Sequence, residues 1–285
     1  MFNEFRLSWD LFRYTYISGW AIGLLLSVSG VFIVAKDQIF IGAAISQAST
    51  LGIAAALAAG SIFGAGSCPC FHSQFFIAAM AVLFSIAASV ITSRKKERGH
   101  ESEEAVTGWI FLLSSGLSIL VVSKSPHGLE EINRLLSSSI IGATFTDAAL
   151  FCFLFIVTAA FVYKFHRHIT LLAIDAEMAA ALGLKAGRWN FLLSAWLGLI
   201  IALSIRVSGM LFVFGCLVLP AMISKSFCRE IKTMFWLAPA IAAAVNVSSF
   251  IIANSCDFPP AQLSISLMAV MLPFAWGVKK WKAAN

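Results

Sequence analysis

Charge is what this sequence has least of. Asp, Glu, Lys and Arg make up 12% of its 285 residues and hydrophobic residues 60%, where a soluble domain is about a quarter charged. That deficit marks an integral membrane protein. The regular alternation of a membrane β-barrel is missing. So is a removable signal peptide: the first apolar run is too long for a signal core and has no small-residue cleavage site, so it reads as a retained helix. No G-x-x-x-x-G-K-[ST] loop is present to cradle ATP phosphates. Nor is there an H-E-x-x-H, a pair of intramembrane carboxylates or a Ser-His pair within the spans, so an intramembrane enzyme has no residues to run on. Ionisable residues sit at span ends or in loops, Asp147 and Arg206 near boundaries, and no inverted repeat is evident. Both points argue against an ion-coupled secondary transporter. The net charge of +6 does not indicate nucleic acid, because the dense run "SRKKERGHESEE" is balanced by its own acids.

What is present is a succession of apolar runs, each about 20 residues and long enough to cross a bilayer as a helix. They fall at about 14–35, 39–63, 74–92, 105–123, 146–163, 189–206, 207–224, 232–253 and 261–278. The sixth and seventh are separated only by the stretch Arg206 to Gly209, so they read as two spans or one broken one. The fold class is all-α: a polytopic membrane bundle of eight or nine transmembrane helices with a short cytoplasmic helix. Lys and Arg set its orientation. Arg94, Lys95, Lys96 and Arg98 mark one cytoplasmic loop, and Lys164, Arg167, Lys185 and Arg188 a second. Lys225, Arg229 and Lys232 mark a third, and Lys279, Lys280 and Lys282 the C-terminus. These alternate consistently if nine spans are counted.

The segment "IDAEMAAALGLKAG", Ile174 to Gly187, is too short and polar to cross a membrane. Asp175 is a good N-cap and Glu177 places negative charge in the first turn. Ile174, Met178, Ala181 and Leu182 share one face, and Gly183 can close the helix in the left-handed conformation. A helix lying in the membrane interface would carry basic residues opposite large aromatics. This one carries acids and alanines, which favours a protein partner.

The segment "DAEMAAALGLKAGRWNFLL" resembles the cytoplasmic coupling segment of the metal-type ABC importer permeases, which move zinc, manganese or iron. "VSGMLFVFGCLVLPAMIS", "GLEEINRLLSSSIIG" and "GAAISQASTLGIA" are similar to further helices of that family, in the expected order over most of the chain. The resemblance implies a single transmembrane permease domain over 1–285, in the cell (inner) membrane, moving a divalent metal ion by alternating access. It also implies a homodimer or a heterodimer with a related permease, cytoplasmic ATP-binding subunits that hydrolyse the ATP, and an extracytoplasmic metal-binding protein. Membrane lipid surrounds it; no cofactor is held permanently, the metal ion being cargo. Asp175, Glu177, Met178, Leu182 and Gly183 are then the expected ATPase contacts. A permease for a siderophore- or corrinoid-type chelate is the nearest alternative.

The second span departs from the family pattern. Where the family often has Asp after the Gly and His four residues later, this chain has Ala43 and Gln47. Ser46, Gln47, Ser49 and Thr50 remain, able to hydrate a passing ion or to glue helices together. In the outer loop "CPCFH", Cys68, Cys70 and His72 are soft ligands that would need a further ligand to hold a metal. The two cysteines are equally candidates for a disulfide with Cys256, or ordinary loop residues. Cys152 and Cys216 read as packing residues within spans.

Overall fold

The computed structural model describes residues 2–63, 74–93, 103–123, 140, 142–174, 176–228 and 230–284. The described residues form helices α1 (Phe2–Ala35), α2 (Ile41–Phe63), α3 (Gln74–Ser93), α4 (Glu103–Val122) and α5 (Phe145–Ile174). These are followed by α6 (Ala176–Ala181), α7 (Ala186–Ser208), α8 (Met210–Phe227), α9 (Ile231–Cys256) and α10 (Pro260–Ala284). Nine of them are long and apolar enough to cross a membrane, so the larger of the two expected counts holds among the described residues. Helices are the natural solution, because in hydrocarbon every backbone N–H and C=O must be paired within its own segment.

The sixth and seventh spans are two helices divided by one residue. Gly209 has φ 79° and ψ 160°, and its N–H returns to the Ile205 carbonyl at 2.9 Å. That backbone region is open essentially to glycine alone. The fifth span was expected to stop near residue 163 but continues to Ile174. Phe165, at φ −111° and ψ 15°, interrupts it. The first helix likewise begins at Phe2, upstream of the apolar run.

The chain separates into two compact units, residues 1–37, 139–179 and 211–285 in the first and 38–138 and 180–210 in the second. In the first unit, α1 packs against α5 and α9. Gly19 and Gly23 on α1 form a small-xxx-small pair that lets side chains of α9 seat on the helix. A Cβ at Gly19 would stand 2.5 Å from the Phe250 ring, and one at Gly23 2.1 Å from the Asn246 amide. Gly30 lets the Leu217 carbonyl of α8 approach so closely that a Cβ would lie 1.7 Å from its oxygen. The two ends of this unit are tied separately. At one, Tyr16 donates to the Asn254 carboxamide oxygen at 3.1 Å, and Trp9, Trp20 and Phe250 gather round the Tyr16 ring. At the other, Lys225 pairs with Asp37 and donates to the Val34 carbonyl at 3.2 Å. Positive-inside alternation puts Asp37 and Lys225 on the cytoplasmic side and Tyr16 and Asn254 outside, as this pairing requires.

In the second unit, α2 is the central helix, packed by α3, α4 and α7. Residues 41–50 are buried throughout. Ala44 and Ala48 meet Ala88 and Ile110, and Gly52 lies against the Met80 carbonyl. Close approach of α3 and α7 depends on Gly198, over the Ile86 backbone, and on a 2.6 Å bond from the Ser89 hydroxyl to the Ser194 carbonyl.

Candidate functional site

The residues singled out in the sequence fall at two described places in the chain: the polar face of α2 and the short helix α6.

On α2, Ser46, Gln47, Ser49 and Thr50 are all buried. Two of the hydroxyls are spent within the helix. Ser46 donates to the Gly42 carbonyl at 2.7 Å and Thr50 to the Ser46 carbonyl at 3.1 Å, the back-bonding that lets Ser and Thr sit in an apolar bundle. Ser49 Oγ has no hydrogen-bond partner among the described residues. Gln47 reaches out of the helix instead, its Nε2 3.4 Å from the Sδ of Met210. Met210 directly follows Gly209, so the amide meets the chain where α7 gives way to α8.

The site therefore consists of a carboxamide, a thioether, one unpaired hydroxyl and a glycine break, with Ala43 buried one turn before Gln47. It carries no formal charge. An amide oxygen, a hydroxyl and a soft sulfur can take the place of water around an ion briefly, but they cannot hold a divalent cation as carboxylate and imidazole do. No group of three or more His, Cys, Asp and Glu side chains able to hold a metal is found among the described residues. The sequence reading found Gln47 and noticed the break near Gly209. It missed Met210 as the partner, since nothing in the sequence links positions 163 residues apart.

Helix α6 is shorter than expected, six residues from Ala176 to Ala181. Gly183 follows with φ 84°, its N–H bonded to the Ala180 carbonyl at 3.0 Å. Ala179 is fully buried and fixes one side of the helix. Along the same stretch three large apolar side chains recur every fourth residue and face outward: Ile174 is 69% exposed, Met178 57% and Leu182 68%. Gly183 stands open, with nothing within 4 Å of where a Cβ would be. Asp175 and the Glu177 side chain lie outside what the structure describes, as do Cys68, Cys70 and His72. Cys256, the cysteine considered as their partner, is exposed and forms no disulfide among the described residues, while Cys216 is buried.

The charged residues near the spans serve local ends. Asp147 accepts from the Thr144 N–H at 3.0 Å and from its hydroxyl at 2.7 Å, and the Asp147 N–H returns to Thr144 Oγ1 at 3.4 Å. This is a reciprocal cap on the start of α5. Arg206 is exposed in the last turn of α7.

The described residues thus form a multi-pass helical membrane protein with a short helix between its spans. The chain belongs to the ABC 3 transport family, which it matches over residues 8–277. It is 24% identical over 238 residues to a probable metal transport system membrane protein of Thermotoga maritima, covering 81% of this chain and 78% of that one. It is 25% identical over 220 residues to the manganese import system permease protein ScaB of Streptococcus gordonii, covering 76% and 73%. Its fold is that of PsaBC from Streptococcus pneumoniae, solved in complex with a Fab. The TM-score is 0.78 at 18% identity, over 97% of this chain and 95% of that one.

Proposed function

We propose that this chain is the permease subunit of an ATP-driven importer for divalent metal ions, its two units working as one permease domain over 1–285. The observation that carries the reading is the exposure of Ile174 at the end of α5, Met178 on α6 and Leu182 just after it, in a segment that the positive-inside pattern puts in the cytoplasm. Large apolar side chains held outward at helical spacing fit a groove on a soluble partner. With no phosphate-cradling loop of its own, the permease takes its energy from separate ATP-binding subunits, and this helix is where they dock. It hydrolyses nothing itself. The names of its relatives, a manganese permease and metal transport proteins, support a metal ion as cargo. A second copy or a related permease completes the pathway, and an extracytoplasmic metal-binding protein delivers the ion.

In this reading the ion passes beside α2. Gln47, Met210 and Ser49 offer transient ligands beside the Gly209 break. Selection then rests more on the delivering protein than on the pore. A permease for a metal chelate is the second reading, favoured by Ala43 and Gln47 standing where Asp and His are expected.

Cellular metal content separates the two. It would be measured by mass spectrometry in cells with and without this chain and its ATPase, under limiting Mn, Zn or Fe. The expected result is a selective fall in one metal on deletion. No change in any of the three free ions would overturn the divalent-ion reading in favour of the chelate.

A further inference from the structure

The first unit contains a groove of about 430 Å³ that the transport reading does not use. It lies between α5 and α9, with Val28 of α1 as its floor and Ala159 and Phe235 on facing walls. Its volume is in the range of ligand pockets. Polar groups in the lining collect toward one end. The chain runs inward along α5 and outward along α9, so Tyr163 and His166 near the inner end of α5 come level with Lys232 and Trp236 near the inner end of α9. Lys232, Tyr163 and Trp236 are all exposed. Aromatic rings and a lysine at one level, above an apolar slot that faces hydrocarbon, match the order of a phospholipid: chain, glycerol, phosphate.

We propose that this groove is a site for one anionic phospholipid of the cytoplasmic leaflet, an acyl chain lying between α5 and α9 and the phosphate meeting Lys232, beside His166, whose Nδ1–H donates to the Tyr163 carbonyl at 3.0 Å. The kink at Phe165 lies between Tyr163 and His166 at the mouth of the groove. A bound headgroup would therefore rest on the segment of α5 that leads into α6. The proposal depends on the cytoplasmic placement of the Lys232 end and on nothing about the cargo.

Trp236 supplies the test. The full chain is reconstituted in lipid discs of phosphatidylcholine containing increasing fractions of phosphatidylglycerol, with brominated acyl chains on one lipid or the other. Bromine quenches a tryptophan it touches, and subtracting the emission of W236F isolates Trp236 among the eight tryptophans. Brominated phosphatidylglycerol should quench Trp236 at about fivefold lower mole fraction than brominated phosphatidylcholine, the preference one basic side chain gives an anionic headgroup. K232A should remove the preference, while K280A, at the basic end of α10, should keep it. Both lysines are exposed, and size-exclusion profiles check that the variants fold. Equal quenching by the two lipids, or a preference that survives K232A, would reduce the groove to ordinary annular lipid. No quenching by either would mean that a second copy of the permease covers this face. Each of these results overturns the proposal.

Discussion

Asn246 of α9 sits over Gly23 of α1 so closely that a single added methyl would stand 2.1 Å from its Nδ2. The contact lies inside the first unit, where Asn246 is fully buried, and the end of its side chain would have to shift to admit the methyl. Gly30 is more constrained still, because an added Cβ would stand 1.7 Å from the Leu217 carbonyl oxygen, a backbone atom of α8 that cannot rotate aside. Overpacking of this kind costs about 1–3 kcal/mol. Melting in detergent should rank G30A least stable, G23A intermediate and G187A near the parent, since a Cβ at Gly187 meets nothing within 4 Å. A G30A variant as stable as G187A would contradict this packing of α1 against α8.

Asp37, two residues beyond the end of α1, lies in the left-handed region at φ 56° and pairs with Lys225. Both side chains are exposed, so the ion pair should contribute at most about 1 kcal/mol. The backbone conformation should matter more, because Asn and Gly accept it and a β-branched residue does not. D37N and D37G should melt within a few degrees of the parent, and D37V clearly below. Equal melting of D37N and D37V would show that the backbone conformation does not set the cost at this junction.

Gly209 permits the break between α7 and α8 with dihedrals that an L residue avoids. G209A should strain or straighten the junction and displace Met210 from Gln47. Transport by G209A should fall about tenfold or more while the protein still reaches the membrane, whereas G108A, with open space at the Cβ, should transport normally. Metal uptake at matched expression is the measurement.

Gln47 and Met210 make a neutral pair, so the resting permease should keep no metal after chelation and desalting. Restoring the expected ligands with A43D and Q47H places carboxylate and imidazole one helical turn apart. The double variant should retain metal measurable by mass spectrometry and transport it more slowly, because an ion held tightly is released slowly. Equal retention by parent and variant would remove α2 from the pathway.

The spans were legible in the sequence because burial in lipid demands long apolar runs, and each run is its own signal. The extension of α5 beyond residue 163 was not. Lys164, His166 and Arg167 read as a loop, yet a helix can continue through the interface when its basic side chains reach the headgroups. The apolar series Ile174, Met178 and Leu182 was readable as a pattern around α6; that these side chains are exposed needed the structure. The meeting of Gln47 with Met210 is a tertiary fact between distant segments, and no local pattern announces it.

The proposed docking of an ATPase subunit on the α6 segment can be tested without disturbing the core, because the side chains involved are exposed. M178D with L182D places charge on side chains that are already outside. The measurement is the amount of ATPase subunit that co-purifies with the permease, together with metal uptake in the same cells. The account predicts at least about a tenfold loss of ATPase association, as removal of interface anchors gives, with uptake abolished and permease folding unchanged. Full association and normal uptake in the double variant would contradict it.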